Sequence, residues 1–141
     1  MFQSPVNTGI DTRLADSIVS AARTSIGDTL RSVIYFTPSE MDLLYVRRDL
    51  YDSPSGAMEA KSRLVDFERT GFAEAPVRTA LSVPSDPVSI GPYEFTVRFH
   101  EDGYVVRVLG GDAGVIVTSD DIDVEAFEDA AVAIERLLTG E

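Results

Sequence analysis

The alternation of hydrophobic and polar positions along this chain predicts a mixture of helices and strands. Residues 1–10 are mostly polar and form a lead-in segment before the first periodic stretch. Apolar residues then recur at three- and four-residue spacing as far as Ile26, which predicts a helix. Asp11 or Thr12 can cap its N-terminus, and Gly27 stands where the glycine that follows a helix belongs.

A strand is predicted over residues 30–37, which are rich in β-branched and aromatic side chains, with apolar residues in both parities as in a central strand. The next segment has two interpretations. Pro38, in the first helical position of a capping-box pattern, favours a helix. A turn over residues 38–42 followed by a strand over residues 43–50 makes a hairpin instead. We favour the hairpin, whose second strand places three apolar residues on one face: Leu44, Val46 and Leu50.

A second amphipathic stretch predicts a helix over residues 57–70 that ends at Gly71. The residues expected on its buried face are Ala57, Ala60, Leu64 and Phe67. Residues 72–92 contain four prolines and are predicted mostly as connection, with part of residues 77–83 helical or extended.

Strict alternation over residues 93–100 predicts a strand. Its inward positions are expected to be Tyr93, Phe95, Val97 and Phe99, and its outward positions Glu94, Thr96, Arg98 and His100. The dipeptide Asp102-Gly103 is a strong hairpin signal. With a two-residue turn at this dipeptide, Phe99 lies opposite Val106, and the apolar faces of the two strands agree.

A glycine-rich turn over residues 110–114 leads into a further strand, residues 115–118. The last helix follows the N-cap candidate Asp123, with Glu125 in its first turn. One face of this helix carries its apolar residues: Val124, Phe127, Ala131, Ile134 and Leu138.

The elements follow the order α-β-β-α-β-β-β-α within one α+β domain, residues 11–141, and predict a five-stranded antiparallel sheet flanked by helices. Over residues 11–139 this order resembles the roadblock or dynein-light-chain modules of the profilin-like group. The resemblance implies one long helix on one face of the sheet and two on the other. It also implies a module that dimerises through a helix and a sheet edge and that scaffolds small GTPases or other signalling proteins. No residue motif is matched, so no functional residue carries over.

Composition adds a prediction about solvent. The 141 residues include 24 Asp and Glu against 12 Lys and Arg, for a net charge of −12, and Lys61 is the only lysine. With 44% hydrophobic residues the chain can still build a core, so its acidity does not indicate disorder. The pattern resembles proteins of salt-accumulating halophilic archaea, including small haloarchaeal proteins of unassigned function. At molar salt the Debye length is about 3 Å, which screens the repulsion between carboxylates.

The same counts exclude several kinds of chemistry. The chain has no cysteine and a single histidine, His100, which excludes disulfides, thiolate or histidine-cluster metal sites and a cysteine nucleophile. Its negative charge disfavours nucleic acid as a partner. No apolar run is long enough to span a membrane and no signal peptide is recognisable, so we expect a cytoplasmic protein without a membrane partner.

Two motif-like stretches have structural explanations. Asp121, Asp123 and Glu125 alternate as in a calcium loop, but the glycine and glutamate that such a loop requires are absent from their positions. We interpret these acids as residues of a helix N-terminus. The turn over residues 110–114 lacks the Lys-Ser/Thr ending and the following helix of a phosphate-binding loop. We therefore expect neither a metal nor another cofactor.

The candidate binding residues are Arg98, Arg107 and His100. In the predicted hairpin register the two arginines lie directly opposite each other, an arrangement that is destabilising without a third group. That group can be a carboxylate of a covering helix, an acid of a partner protein or a bound anion. The helix acids in question are Glu59, Asp66 and Glu68.

His100 lies at the outer end of its predicted strand without an evident partner. It can serve as a general base, but an ordinary surface histidine fits the pattern better, and no G-x-S-x-G nucleophile motif is present. Arg47 and Arg48 form a second and weaker basic pair, because adjacent residues of a strand point to opposite faces.

These observations predict a non-enzymatic protein-interaction or regulatory module, with a second copy of itself and a signalling protein as partners. The alternative is a small-ligand sensor of the profilin-like type that holds an anion near Arg98 and Arg107. A hydrolase is the least supported function, because the sequence contains no recognisable catalytic constellation.

Overall fold

A five-stranded antiparallel sheet forms the centre of the computed structural model, which describes residues 8–81 and 85–140. The strands are β1 (Leu30–Phe36), β2 (Met41–Val46), β3 (Thr96–Phe99), β4 (Tyr104–Gly110) and β5 (Ala113–Ser119). The helices are α1 (Thr12–Ile26), α2 (Pro54–Glu68), α3 (Gly71–Ala80) and α4 (Val124–Thr139), and a 3-10 turn follows α1 at Gly27–Thr29. The strands lie in the order β2-β1-β5-β4-β3, which confirms the predicted α+β fold class and order of elements.

The sheet is covered on both faces. α1 and α4 pack side by side on one face, above a core that includes Ile18 of α1, Val117 of β5 and Phe127 of α4. α2 covers the other face, where Ala57 and Val65 belong to a second core with apolar residues of β1, β2, β4 and β5. Because successive side chains of a strand point to opposite faces, β1 and β5 contribute to both cores.

Local sequence determines where the helices begin and end. Ser53 Oγ accepts a hydrogen bond from the Gly56 amide at 3.1 Å, so α2 begins directly after this cap and earlier than predicted. Asp123 Oδ1 accepts one from the Ala126 amide at 3.0 Å, in agreement with the predicted cap of α4. α1 is followed by Gly27, whose φ of 78° suits a residue without a Cβ atom. None of the described helices is both long and apolar enough to cross a membrane.

The ambiguous segment after β1 forms a hairpin, as the sequence favours. The predicted strand over residues 43–50 is displaced, because β2 begins two residues earlier and ends four residues earlier, and Leu50 lies beyond it. A register shift between β1 and β2 marks a bulge. As a result Leu44 packs on the α1 face and Val46 on the α2 face, so the predicted common face of these residues is wrong.

The buried stripe of α2 differs from the predicted one. Ala60 and Phe67, both predicted to be buried, are exposed, Phe67 by 76%. The helix instead turns Lys61 and Glu68 toward the sheet, where they are 7% and 2% exposed. The reason lies in the sheet: Arg107 is buried on the same face and needs a carboxylate, which Glu68 supplies.

Helix α3 occupies the first part of the segment that was predicted mostly as connection, residues 72–92. Pro76 lies inside this helix and disfavours it by removing a backbone donor. The ring of Phe72 packs edge-on against Phe36 with centroids 5.4 Å apart, a tertiary contact that holds α3 against the sheet. Of the segment 77–83 the structure shows a helix up to Ala80, and residues 82–84 lie outside the described residues.

Strand β3 covers half of the strand predicted over residues 93–100. The turn to β4 lies one residue earlier than expected, because the His100 amide donates to the Gly103 carbonyl at 2.9 Å. Each residue of β3 therefore pairs two positions earlier on β4, and Phe99 lies opposite Tyr104. A shift of two positions preserves the faces of both strands, so the apolar sides agree as predicted although the individual pairs differ.

The end of the predicted lead-in segment is attached to the domain. The Thr8 amide donates to Asp42 Oδ2 at 2.9 Å, and Ile10 is 9% exposed within the core beneath α1 and α4. Residues 1–7 of that segment lie outside the described residues. Residues 8 and 10 of this segment therefore contact β2 and the core.

Candidate interaction surface

Strand β3 is the outer strand of the sheet on one side. Among the described strands it pairs with β4 alone, so the other side of its backbone is open for pairing. Phe99 shares the predicted face with Val97, on the side of the sheet that α1 and α4 cover, but at this edge it is 69% exposed. The rings of Phe99 and Tyr104 pack edge-on with centroids 5.1 Å apart. An open edge with an exposed aromatic residue is suited to receive another chain.

Helix α2 reaches β3 through a side chain at its C-terminal end. Arg98 of β3 donates from Nε to Glu68 Oε2 at 2.7 Å, and Lys61, two helical turns earlier, lines a cleft together with His100. The solvent side of the helix carries Phe67. We call the exposed side of α2, together with the open edge of β3, the α2/β3 surface.

A buried cluster of charges joins α2 to β3 and β4. Glu68 Oε1 accepts a hydrogen bond from Arg107 Nη1 at 3.0 Å, and Arg107 Nη2 donates to Thr96 Oγ1 at 3.0 Å. The second carboxylate oxygen binds Arg98, and this hydrogen bond raises the pKa of the Arg98 guanidinium. Glu68 and Arg107 are nearly fully buried, whereas the Arg98 side chain is 45% exposed. Glu68 thus pairs with both guanidinium groups, and Glu74 Oε1 of α3 also lies 3.6 Å from Arg107 Nη1.

The structure separates the candidate binding residues into two groups. Arg98 and Arg107 share a face of the sheet and meet at Glu68, but Thr96 is the direct partner of Arg107. The predicted direct opposition of the arginines is wrong, because the hairpin register is shifted by two residues. The third group between them is a carboxylate of the covering helix, one of the three possibilities that the sequence left open. His100 is exposed and lies outside this cluster.

The inward position of Lys61 was not predicted from the sequence. Lys61 and Glu68 are seven residues apart with Leu64 between them, a spacing that places all three on one face of a helix. Two polar residues at this spacing normally indicate a solvated face. Their burial follows from Arg107 on the sheet, which no local pattern of the helix reveals.

Arg47 belongs to a separate ion-pair network at the end of the sheet. It binds Asp49 at 2.7 Å and also Asp120, to which Arg31 donates at 2.9 Å. The hydrogen bond from Arg47 is the largest cause that lowers the pKa of Asp120. Arg48 lies in the turn after β2, so Arg47 and Arg48 are not neighbours within a strand as predicted. This network ties the β1–β2 hairpin to the segment before α4.

The two motif-like stretches occupy structural positions. Residues 110–114 form the β4–β5 hairpin, with Gly111 in the turn at a φ of 61°. Asp123 caps α4, as described above. Within residues 8–81 and 85–140, no group of three or more His, Cys, Asp or Glu side chains is arranged to hold a metal ion.

Solved structures with the same fold include a gliding protein. The structure of MglB from Thermus thermophilus has a TM-score of 0.54 and 14% identity, over 98% of this chain and 98% of that chain. A structure described as MglB with tetrameric arrangement has a TM-score of 0.52 and 14% identity, over 94% of this chain and 97% of that chain. MglB is a roadblock/LC7-family protein, so the predicted roadblock-like resemblance is confirmed at the level of the fold.

The sequence was also compared with curated proteins and with models of protein families. A search of curated proteins finds no match. The family model described as Domain of unknown function (DUF7522) matches residues 16–139, which is most of the chain. The match spans all of the strands and runs from α1 to α4. The chain therefore belongs to the DUF7522 family, with a roadblock-like fold.

Proposed function

We propose that this chain is a non-enzymatic protein-interaction or regulatory module that acts as a homodimer in the cytoplasm of a salt-loving cell. The observation that carries the proposal is the α2/β3 surface, which combines an open strand edge with an exposed helix face, linked by the Arg98–Glu68 ion pair. The roadblock-like resemblance implies dimerisation through these two kinds of element. A solved structure of MglB is described as tetrameric, which supports self-association as a property of this fold.

Exposed aromatic side chains supply a driving force for this association. Phe67, on the solvent side of α2, is 76% exposed, and Phe99, at the β3 edge on the opposite face of the sheet, is 69% exposed. Full burial of one such side chain contributes about 1.5–3 kcal/mol. Aromatic residues at the centre of an interface commonly carry much of its binding free energy.

Electrostatic repulsion between the two copies opposes this association, since each copy has a net charge of −12. At molar salt the Debye length of about 3 Å screens that repulsion, and at low salt it does not. The proposed homodimer therefore depends on the same salt that the composition predicts. A signalling protein is the further partner that we propose, from the roadblock-like resemblance alone.

The alternative of an anion sensor at Arg98 and Arg107 stays a prediction, and the geometry gives it less support. Glu68 already supplies the negative charge between the two guanidinium groups. An external anion would have to compete with a carboxylate that is held by the same helix.

The proposal is tested by the mass of the particle in molar KCl, measured by light scattering after size exclusion across the micromolar range. We expect a dimer for the native chain and a shift toward the monomer for Phe67→Glu, because a charge on the interface is desolvated on association. Val124→Glu is the matched control for Phe67→Glu, since Val124 is also an exposed apolar helix residue, 64% exposed, and belongs to α4, which covers the face of the sheet opposite to α2. The control should remain dimeric.

A strictly monomeric native chain across that range contradicts the homodimer. Equal dissociation of both variants contradicts the α2/β3 surface as the interface. Far-UV circular dichroism of each variant shows whether its fold is retained.

A further inference from the structure

The only lysine of the chain is buried, and no acid of the described residues pairs with it. Lys61 lies on the sheet-facing side of α2 and is 7% exposed. Among the described residues it forms no ion pair, and its Nζ lies 5.6 Å from the centre of the Tyr51 ring, a cation–π contact. Arg107, buried to a similar degree, has Glu68 as its partner. A buried ammonium group that lacks a carboxylate costs free energy unless another anion approaches it.

Lys61 lines a cleft that is open to solvent. The cleft has a volume of about 420 Å³ and lies between α2 and the turn that joins β3 to β4. Its lining includes Lys61 from α2, Arg31 from β1, Thr118 from β5 and His100 from the turn. This volume lies within the range of small-molecule sites, roughly 300–1,000 Å³.

Lys61 is the buried charge of the cleft, and the acids of the lining lie at its rim. Burial, together with repulsion from Arg31, lowers the pKa of Lys61 to about 8. Glu101 and Asp102 of the turn also line the cleft but are exposed. The other titratable groups that face it are His100, Tyr104 and, through the ring contact, Tyr51. Arg31 is paired with Asp120, so Lys61 is the cation of the cleft lining that has no acid partner among the described residues.

We propose that this cleft binds the anionic group of a small molecule, a carboxylate or a phosphate, with Lys61 as the charge partner inside and His100 at the mouth. An oxyanion at Lys61 supplies the counter-charge that the described residues do not supply. Thr118 offers a hydroxyl group within the same lining, although it also shares a hydrogen bond with Ser32. This site is independent of the proposed homodimer, because it needs no second chain.

A single lysine makes the test direct, since selective ¹³C and ¹⁵N labelling of lysine gives one side-chain signal. The Lys61 signal is followed from pH 6 to pH 10 in molar KCl, with acetate or inorganic phosphate replacing part of the chloride at constant ionic strength. An anion that prefers the charged ammonium raises the pKa of Lys61 by about one unit at tenfold saturation. We expect a saturable shift, and the anion that produces it at lower concentration identifies the carboxylate or phosphate class.

Melting temperatures of matched variants provide the second readout. The same anion should raise the melting temperature of the native chain and of Arg63→Met, a variant of an exposed cation on the same helix, 78% exposed. It should not raise that of Lys61→Met, which keeps the length of the side chain and removes its charge. An equal gain in Lys61→Met, or a Lys61 signal that no oxyanion shifts beyond the chloride background, overturns the proposal.

Discussion

Glu68 and Arg107 form a buried ion pair across the interface between α2 and the sheet, with Glu68 Oε1 3.0 Å from Arg107 Nη1 and side-chain exposures of 2% and 1%. The pair determines how α2 is rotated about its axis. With Glu68 turned inward, Lys61 also faces the sheet and Phe67 faces solvent. Both the proposed interface and the proposed anion cleft follow from this rotation.

Removal of the Glu68 charge should destabilise the fold strongly. Glu68→Gln leaves the buried Arg107 guanidinium with only the partly exposed carboxylate of Glu74, 3.6 Å away, and we expect the free energy of unfolding to fall by about 3 kcal/mol. Urea unfolding in molar KCl measures this change. Glu59→Gln, at an exposed position of the same helix, should change it by less than about 0.5 kcal/mol.

Replacing both partners of the ion pair with apolar residues tests whether the loss of stability comes from an unpaired buried charge. Glu68→Leu combined with Arg107→Met removes both buried charges, and we expect the double variant to be more stable than Glu68→Gln. If Glu68→Gln alone unfolds at the same urea concentration as the native chain, the pair does not hold α2 on the sheet.

Gly71 should not tolerate a side chain, because the Arg107 guanidinium packs against it. A Cβ atom at Gly71 would lie 2.5 Å from Arg107 Cζ. Alanine in place of a helical glycine normally stabilises by about 0.5–1 kcal/mol, but here we expect Gly71→Ala to destabilise by about 1–3 kcal/mol, as in an overpacked core. Thermal unfolding of Gly71→Ala in the native and the Arg107→Met background measures the coupling of the two positions. Equal effects in both backgrounds would falsify this explanation.

Burial of Lys61 should make stability depend on pH on the alkaline side. The pKa of Lys61 is lowered from 10.5 to about 8 in the folded chain, so the unfolded chain binds more protons between these pH values. Stability therefore rises with pH through this window, by on the order of 3 kcal/mol in total. Lys61→Met removes the charge and should be more stable than the native chain at pH 7, by a margin that shrinks toward pH 10. Urea unfolding at several pH values shows this difference, and Arg63→Met should follow the native chain.

Low salt should unfold the protein. With a net charge of −12 on 141 residues, repulsion between carboxylates is screened at molar salt and acts over about 30 Å at 0.01 M. We expect the far-UV circular dichroism of the folded chain to be lost on dialysis from molar KCl to millimolar salt and to return when the salt is restored. A native spectrum that persists in millimolar salt contradicts the halophilic interpretation.

Local sequence patterns were sufficient to predict those elements that are determined by interactions between residues close together in the chain. Asp123 caps α4 through an amide three residues away, and the β1–β2 hairpin requires only a turn and two apolar runs. The register of β3 against β4 could not be predicted to the residue, because two neighbouring two-residue turns preserve the same faces. The hydrogen bond from the His100 amide to the Gly103 carbonyl determines which turn forms. The Asp102-Gly103 dipeptide predicts a turn one residue later.

The sequence by itself determined the fold class, the order of elements, the scarcity of basic residues and the set of helix acids that could meet Arg107. Only the tertiary structure decided that Glu68 is the one that does, across 39 positions of the chain. Helix α2 can turn any of several faces toward the sheet, and the spacing of its hydrophobic residues predicts that the face with Phe67 is buried. The buried guanidinium on the sheet outweighs that preference, because an unpaired charge in the core costs more free energy than an exposed phenylalanine. The ion pair between Glu68 and the distant Arg107 therefore turns Lys61 toward the sheet and leaves Phe67 exposed to solvent.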